Sequence, residues 1–167
     1  TFNRIKPKKI LILGMGDTDS FNLEIARTAF GKLSSTICSN EKSTSTTICL
    51  DRDTISNHFE DISYSQVIQS FIEGLLLGNY QFIKYKSDEK QSAAEIFFKC
   101  NPDETNEVNE AINIGSIIGN SVKLCRDLAN EPSNVLTPSK LANIATELAS
   151  EVHLECNILD RSNMVEL

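Results

Sequence analysis

A chain of 167 residues with 40% apolar content can bury a real core, and one domain plus an appendage is the natural expectation. Its formal net charge of −7 repels phosphate backbones, so general nucleic-acid binding is disfavoured. Five widely spaced cysteines with no C-x-x-C fit neither a disulfide framework nor a zinc ribbon, and reduced, packed thiols are expected.

Lys8-Lys9-Ile10-Leu11-Ile12-Leu13-Gly14 is a short apolar run bounded by basic residues and glycine, which predicts a strand buried on both faces, as in a parallel sheet. Gly14-Met15-Gly16-Asp17 then turns the chain into a helix from about Ser20, with Phe21, Ile25, Ala29 and Leu33 as its inward stripe. Ser45 to Leu50 reads as a second strand, followed by a solvated loop that carries Asp51, Asp53, His58, Glu60 and Asp61. Ser63 and Gln66 can close a capping box at the start of a helix that buries Val67, Ile68, Phe71, Ile72, Leu75 and Leu76. That helix is expected to end at Gly78 in a left-handed cap. A charged stretch, Lys84 to Lys90, leads to a third strand around Ala93 to Lys99.

Asn101-Pro102-Asp103-Glu104 opens a long helix, with proline at the first position and acids in the first turn. Val108, Ala111, Ile112, Gly115, Ile118, Gly119, Val122, Cys125 and Leu128 keep helical spacing along it for about seven turns. Pro132 pushes Glu131 out of the α region, so the helix must stop near Asn130. Thr137 followed by Pro138 restarts one: the hydroxyl can accept from an orphan amide, and proline at the first helical position loses nothing. Between the two lie Ser133 and Asn134, whose short polar side chains suit a rigid elbow. Leu141, Ile144, Ala145 and Leu148 define the next helix, Val152 to Leu159 alternates as a strand, and Arg161 can open one more helix. The alternation of strand and helix predicts an α/β fold with a mostly parallel sheet flanked by helices.

The candidate chemistry is thin. Gly14-x-Gly16 after a strand invites a phosphate-loop reading, but position 19 is Asp rather than a third glycine, and no Gly-Lys-Ser/Thr follows. A plain turn is the better account. His58 and His153 have no metal-ligating partner at i+3 or i+4, so neither forms a helical metal pair, and no nucleophile sits in a recognisable elbow. No residue is assigned a catalytic or metal-binding role.

Two segments carry a resemblance. Arg126-Asp127-Leu128-Ala129-Asn130-Glu131-Pro132-Ser133-Asn134-Val135-Leu136-Thr137-Pro138 resembles the segment that links the two domains of the leucyl aminopeptidases, with Ala129 and Ser133 where Val and Ala are usual. Upstream, Glu73-Gly74-Leu75-Leu76-Leu77-Gly78-Asn79-Tyr80-Gln81-Phe82 and then Lys84-Tyr85-Lys86 is similar to the same family's amino-terminal domain.

The resemblance implies a macro-domain-like amino-terminal domain at 1–104, a connecting helix and elbow at 105–136, and the start of a catalytic domain at 137–167. It makes Arg126, Asp127, Asn130, Glu131, Pro132, Asn134, Thr137 and Pro138 structural linker residues, not ligands or bases. For the intact enzyme it implies hydrolysis of amino-terminal residues, leucine preferred, by two divalent metals (manganese or zinc), in a homohexamer. The family's Asn-Thr-Asp-Ala-Glu-Gly-Arg run does not occur here, so the chain is expected to be a non-catalytic piece that binds neither metal itself. Thr1 is not an initiator residue, which points to a start further upstream. The expected compartment is the cytoplasm, since no apolar run approaches the ~20 residues of a membrane span. The alternative reading is a free-standing macro-like module that binds a nucleotide or a partner near Gly14 to Ser20.

Overall fold

The computed structural model describes residues 9–38, 45–59, 61–86 and 95–165. They fall into two compact units, Thr1–Cys125 and Arg126–Leu167.

In the first unit, Asn22 caps α1 (Leu23–Cys38), its Oδ1 accepting from the amides of Glu24 at 3.0 Å and Ile25 at 2.9 Å. β1 (Ser45–Cys49) follows, then α2 (Arg52–His58) and α3 (Tyr64–Gly78). The chain returns in β2 (Glu95–Lys99), which pairs in parallel with β1 in the register Ser45↔Glu95 to Cys49↔Lys99. A parallel pair needs a crossover, and the helices between the strands supply it. The fold is thus α/β with a small parallel sheet and helices packed on it, as the alternation predicts.

The core lies between sheet and helices. Thr46, Ile48, Ile96 and Phe98 share the half-buried face of the two strands. Three rings stack through the layers: Phe98 of β2 meets Phe71 of α3 at 4.8 Å between centroids, and Phe71 meets Phe30 of α1 at 4.5 Å, both edge to face. Edge-to-face contact at this separation adds about 0.5–1.5 kcal/mol per pair beyond the buried area. Val67, Ile68 and Phe71 are fully buried and centre the cluster.

A 3-10 turn, Pro102–Glu104, leads into α4 (Thr105–Asn130). Its first half packs on α3 through small residues. A Cβ at Gly115 would come within 2.8 Å of the Gln69 carbonyl oxygen, and one at Gly119 within 2.7 Å of Leu76 Cδ1. Val108 and Ala111 complete that buried face. The second unit contains α5 (Pro138–Glu151) and α6 (Arg161–Val165). α5 ends in a Schellman motif: the Leu154 amide donates to the Ala149 carbonyl at 2.8 Å, and that of His153 to Ser150 at 3.4 Å. His153 takes the left-handed position, at φ 57°.

The structure departs from several expectations. Described residues 9–14 form no ladder, and Ile10 and Ile12 are 62% and 89% exposed rather than buried. Val152 to Leu159 forms no strand either: Val152 and His153 make the turn that ends α5, and 154–159 carry no ladder. The acidic loop after β1 is instead α2, capped by Asp51, whose carboxylate accepts from the Thr54 amide at 3.0 Å. Gly78 is the last residue of α3 and not a left-handed cap. The buried positions of α1 are Ala26, Phe30, Ser34 and Ile37, beside the expected stripe; Ser34 is hidden because its hydroxyl donates to the Leu75 carbonyl at 2.8 Å. Cys125 is exposed, where packing was expected. Glu60, Ser87 to Lys90, Ala93 and Lys8 lie outside the described residues.

Candidate functional site

The linker residues form a hydrogen-bonded elbow. α4 runs unbroken to Asn130, whose side-chain amide donates back to the Arg126 carbonyl at 2.9 Å. The Glu131 amide still reaches the Leu128 carbonyl, at 3.3 Å. Pro132, which has no amide to donate, turns its carbonyl to accept from Val135 at 2.8 Å and Leu136 at 2.9 Å. One residue on, Thr137 caps α5, its hydroxyl accepting from Lys140 at 3.3 Å, with Pro138 at the first position. Arg126, Asp127, Pro132, Asn134, Thr137 and Pro138 are exposed and Glu131 is half-buried. The Asn130 side chain, the Pro132 carbonyl and the Thr137 cap each bond to groups within four residues in sequence.

The other candidates take structural places as well. His58 sits exposed on the last turn of α2, Nδ1 donating to the Thr54 carbonyl at 2.8 Å. The Asp51 carboxyl lies below its ordinary range because the Thr54 hydroxyl and amide both bond to it. Gly14 to Gly16 and the outer side of α1 bound an open cleft of about 420 Å³, lined by Leu13, Met15, Ile25, Ala29 and Lys32 among others. Gly16 adopts a positive φ of 89°, which its missing Cβ permits, so the loop is a turn that needs this glycine. Among the described residues, no three His, Cys, Asp or Glu side chains gather into a group that could hold a metal ion.

Two ionic clusters escaped the sequence reading. On α3, Glu73 is only 4% exposed; it accepts from Arg27 Nε at 2.6 Å and from the Gln69 side-chain amide at 2.7 Å, and Arg27 also pairs with Glu24. At the start of α2, Arg52 lies 4.8 Å above the Tyr64 ring, donates to Glu104 at 2.8 Å, and pairs with Glu107. Burial pushes the Tyr64 hydroxyl up from its ordinary value, and the Glu104 carboxylate adds to the push. The second cluster ties β1's exit, α3 and the entry of α4 together. Its partners are 52 and 55 residues apart in sequence, which is why no local pattern announces them.

Residues 1–89 match the family model described as the cytosol aminopeptidase family, N-terminal domain. The chain is 32% identical over 170 residues to a probable cytosol aminopeptidase of Sulfurihydrogenibium sp., covering 100% of this chain and 32% of that relative. A probable cytosol aminopeptidase of Bacillus subtilis is 32% identical over 162 residues, with 96% of this chain and 31% of the relative covered. The chain thus spans about a third of the length of these relatives. Among solved structures it is similar in fold to the bottromycin maturation enzyme BotP, with a TM-score of 0.71 and 23% identity over 92% of this chain and 31% of that one. The same enzyme in complex with Mn gives a TM-score of 0.67 at 24% identity. No helix among the described residues is long and apolar enough to cross a membrane. The chain belongs to the cytosol aminopeptidase family.

Proposed function

We propose that this chain is the amino-terminal, non-catalytic portion of a leucyl aminopeptidase. One observation carries the reading: the whole chain aligns to about a third of its relatives, and the family model it matches is that of the amino-terminal domain. The parent protein removes amino-terminal residues from peptides, leucine preferred, in the cytoplasm. Its two divalent metals, manganese or zinc, supply an activated bridging water when bound, and their ligands belong to the part of the relatives that this chain does not cover. The macro-like domain contributes oligomer geometry, in a homohexamer, and access to the active site. The elbow from Arg126 to Pro138 joins that domain to the catalytic one.

The test has two arms. The 167-residue chain, given a leucine chromogenic substrate with added manganese or zinc, is expected to show no turnover above blank. Chelator-sensitive hydrolysis that travels with the chain at one-to-one stoichiometry overturns the non-catalytic assignment. An intact-mass measurement on the native source is expected to give a polypeptide of several domains' length carrying this sequence, and a single-domain mass overturns the parentage.

A further inference from the structure

Two apolar rows run along α1. Ala26, Phe30 and Ser34 are buried in the core, whereas Ile25 and Ala29, one position back, are half-buried and open onto the cleft beside residues 13–16. Leu13 and Met15 pack against the core cluster, which fixes that loop alongside the helix. The cleft of about 420 Å³ thus has an apolar floor between a main-chain wall and a helix wall. At the main-chain wall, a Cβ on Gly14 or Gly16 would meet nothing within 4 Å, and residues 13–16 form no ladder among the described residues. The helix wall is the row Glu24, Thr28 and Lys32, all exposed, with a carboxylate at one end and an ammonium at the other. From Glu24 to Lys32 the axis advances roughly 12 Å, at about 1.5 Å per residue.

We propose that this cleft binds a short, extended, apolar peptide with both termini free. At about 3.3 Å per residue, three or four residues span roughly 10–13 Å, which brings the peptide's ammonium to Glu24 and its carboxylate to Lys32. Each terminus then meets the opposite charge. A free amino acid is too short to reach both, and a phosphate would face the Glu24 carboxylate. Alternate side chains of an extended peptide lie about 6.6 Å apart on one face, close to the roughly 6 Å between Ile25 and Ala29 along the helix. One face of the peptide therefore rests its apolar side chains on that pair. The open main chain at Gly14 and Gly16 lies where the peptide's amides and carbonyls can bond, as a strand adds to a free edge. Glu24 keeps its pair with Arg27, because a carboxylate has lone pairs enough to accept from two cations.

Titrating the isotope-labelled 167-residue chain with the tripeptide Leu-Gly-Leu tests this by NMR. Saturable shifts are expected at Gly14, Gly16, Ile25 and Ala29, with residues 95–119 unchanged. Glu24→Gln is expected to weaken the free tripeptide about tenfold and to leave its N-acetylated form unaffected. Lys32→Gln should do the same to the free carboxylate and spare the C-terminal amide. Ala29→Phe, which fills the floor, is expected to remove binding, with exchange protection of α3 reporting that the variant folds. Both charged side chains are exposed, so their variants keep the test decisive if Ala29→Phe does not fold. Absence of saturable shifts, equal affinity for capped and free peptides, or free leucine binding as tightly as the tripeptide each overturns the proposal. Cleft shifts that follow chain concentration rather than added peptide would place a second copy in the cleft and overturn it too. Binding is read without turnover, so its failure leaves the non-catalytic reading of the chain standing. Hydrolysis of the tripeptide by the chain sinks that reading, and saturable shifts at the cleft with the same charge dependence still uphold the site.

Discussion

Gly78 and Gly31 meet backbone to backbone where α3 crosses α1: a Cβ on Gly78 would fall well inside van der Waals contact of the Gly31 Cα and carbonyl oxygen. One turn earlier, a Cβ on Gly74 would collide with the Arg27 carbonyl. The contact is not symmetric, because a Cβ on Gly31 meets nothing nearer than the Gly74 oxygen at 3.4 Å. Gly78→Ala is therefore expected to destabilise the first unit by about 1–3 kcal/mol, the usual cost of forced overpacking. Gly31→Ala should be neutral, or stabilising by up to about 1 kcal/mol, through helix propensity alone. Denaturant midpoints of the two variants decide it; a Gly78→Ala midpoint no lower than that of Gly31→Ala would mean the helices do not cross this closely.

Beside that crossing, Glu73 is held by Arg27 from one helix and Gln69 from its own. Removing the guanidinium strands a carboxylate that is 4% exposed. Arg27→Met is expected to cost about 1–3 kcal/mol, and Glu73→Leu added to it should recover part of that loss, because a hydrophobic replacement also removes the desolvation cost of the charge. The double-variant cycle reads the coupling directly. Additive losses would show that the pair contributes nothing beyond its separate parts.

Local signals were legible and non-local ones were not. Ser63 with Gln66, Asn101 with Glu104, and Thr137 with Pro138 each announce a helix start within four residues, and each forms: the Ser63 amide bonds the Gln66 side chain at 2.8 Å and the Asn101 amide bonds Glu104 at 2.9 Å. Caps depend only on neighbours in sequence. Strands depend on partners elsewhere, so Ile10 to Leu13 carries strand composition yet has no ladder. Gly78 looks like a cap because glycine commonly ends helices, whereas here its role is set by Gly31, 47 positions back in the sequence (78 minus 31). Asp51 had a readable signal, an acid three residues before Thr54, that the surrounding charge masked as loop. Of the elbow, the stop and restart were legible, but the turn accepted by the Pro132 carbonyl was not.

Glu104 links stability to pH. The Asn101 amide, with Arg52 alongside, holds its carboxyl below the ordinary range. A depressed folded value means that the unfolded chain takes up the proton first as pH falls. The stabilisation is therefore complete above the ordinary carboxylate range and is lost as pH drops through the lower folded value. Asp51, lowered by Thr54, acts with the same sign. Glu104→Gln is expected to reduce stability near neutral pH and to flatten, though not abolish, the acid limb of a stability profile between pH ~3 and ~6, bracketing the ordinary carboxyl range. An unchanged limb would mean that neither the Asn101 bond nor the Arg52 pair holds the Glu104 carboxylate in solution.

His153 occupies the left-handed position that ends α5, at φ 57°, a conformation that favours glycine. Its ring is exposed, so the substitution His153→Gly changes mainly the backbone cost. The expectation is a gain of about 1 kcal/mol in the helix end, with His153→Val losing at least as much, since a β-branched side chain tolerates this region least. Hydrogen exchange of the Leu154 amide, bonded to Ala149 at 2.8 Å, reports the effect locally. Faster exchange in His153→Gly than in the parent chain would sink it.

The last prediction separates the two halves of α4. Ala111 is 3% exposed in the face packed on α3, whereas Val122, further along the same apolar spacing, is only half-buried. From the sequence both belong to one stripe and an aspartate at either should be ruinous. In the structure only Ala111→Asp buries an unpaired carboxylate, at a cost of several kcal/mol, comparable to a small domain's whole stability. Val122→Asp can reach water and should cost about 1 kcal/mol, in the range of an ordinary substitution. Pro132→Ala should leave the melting of residues 45–119 unchanged, because that side chain is exposed and its carbonyl bonds to Val135 and Leu136 survive the change. Its effect should appear as faster limited proteolysis past Asn130, since alanine no longer forces the helix to stop there. Denaturant midpoints and cleavage maps of the three variants give the order. If Val122→Asp unfolds the first unit while Ala111→Asp is tolerated, the packed face of α4 is the wrong one.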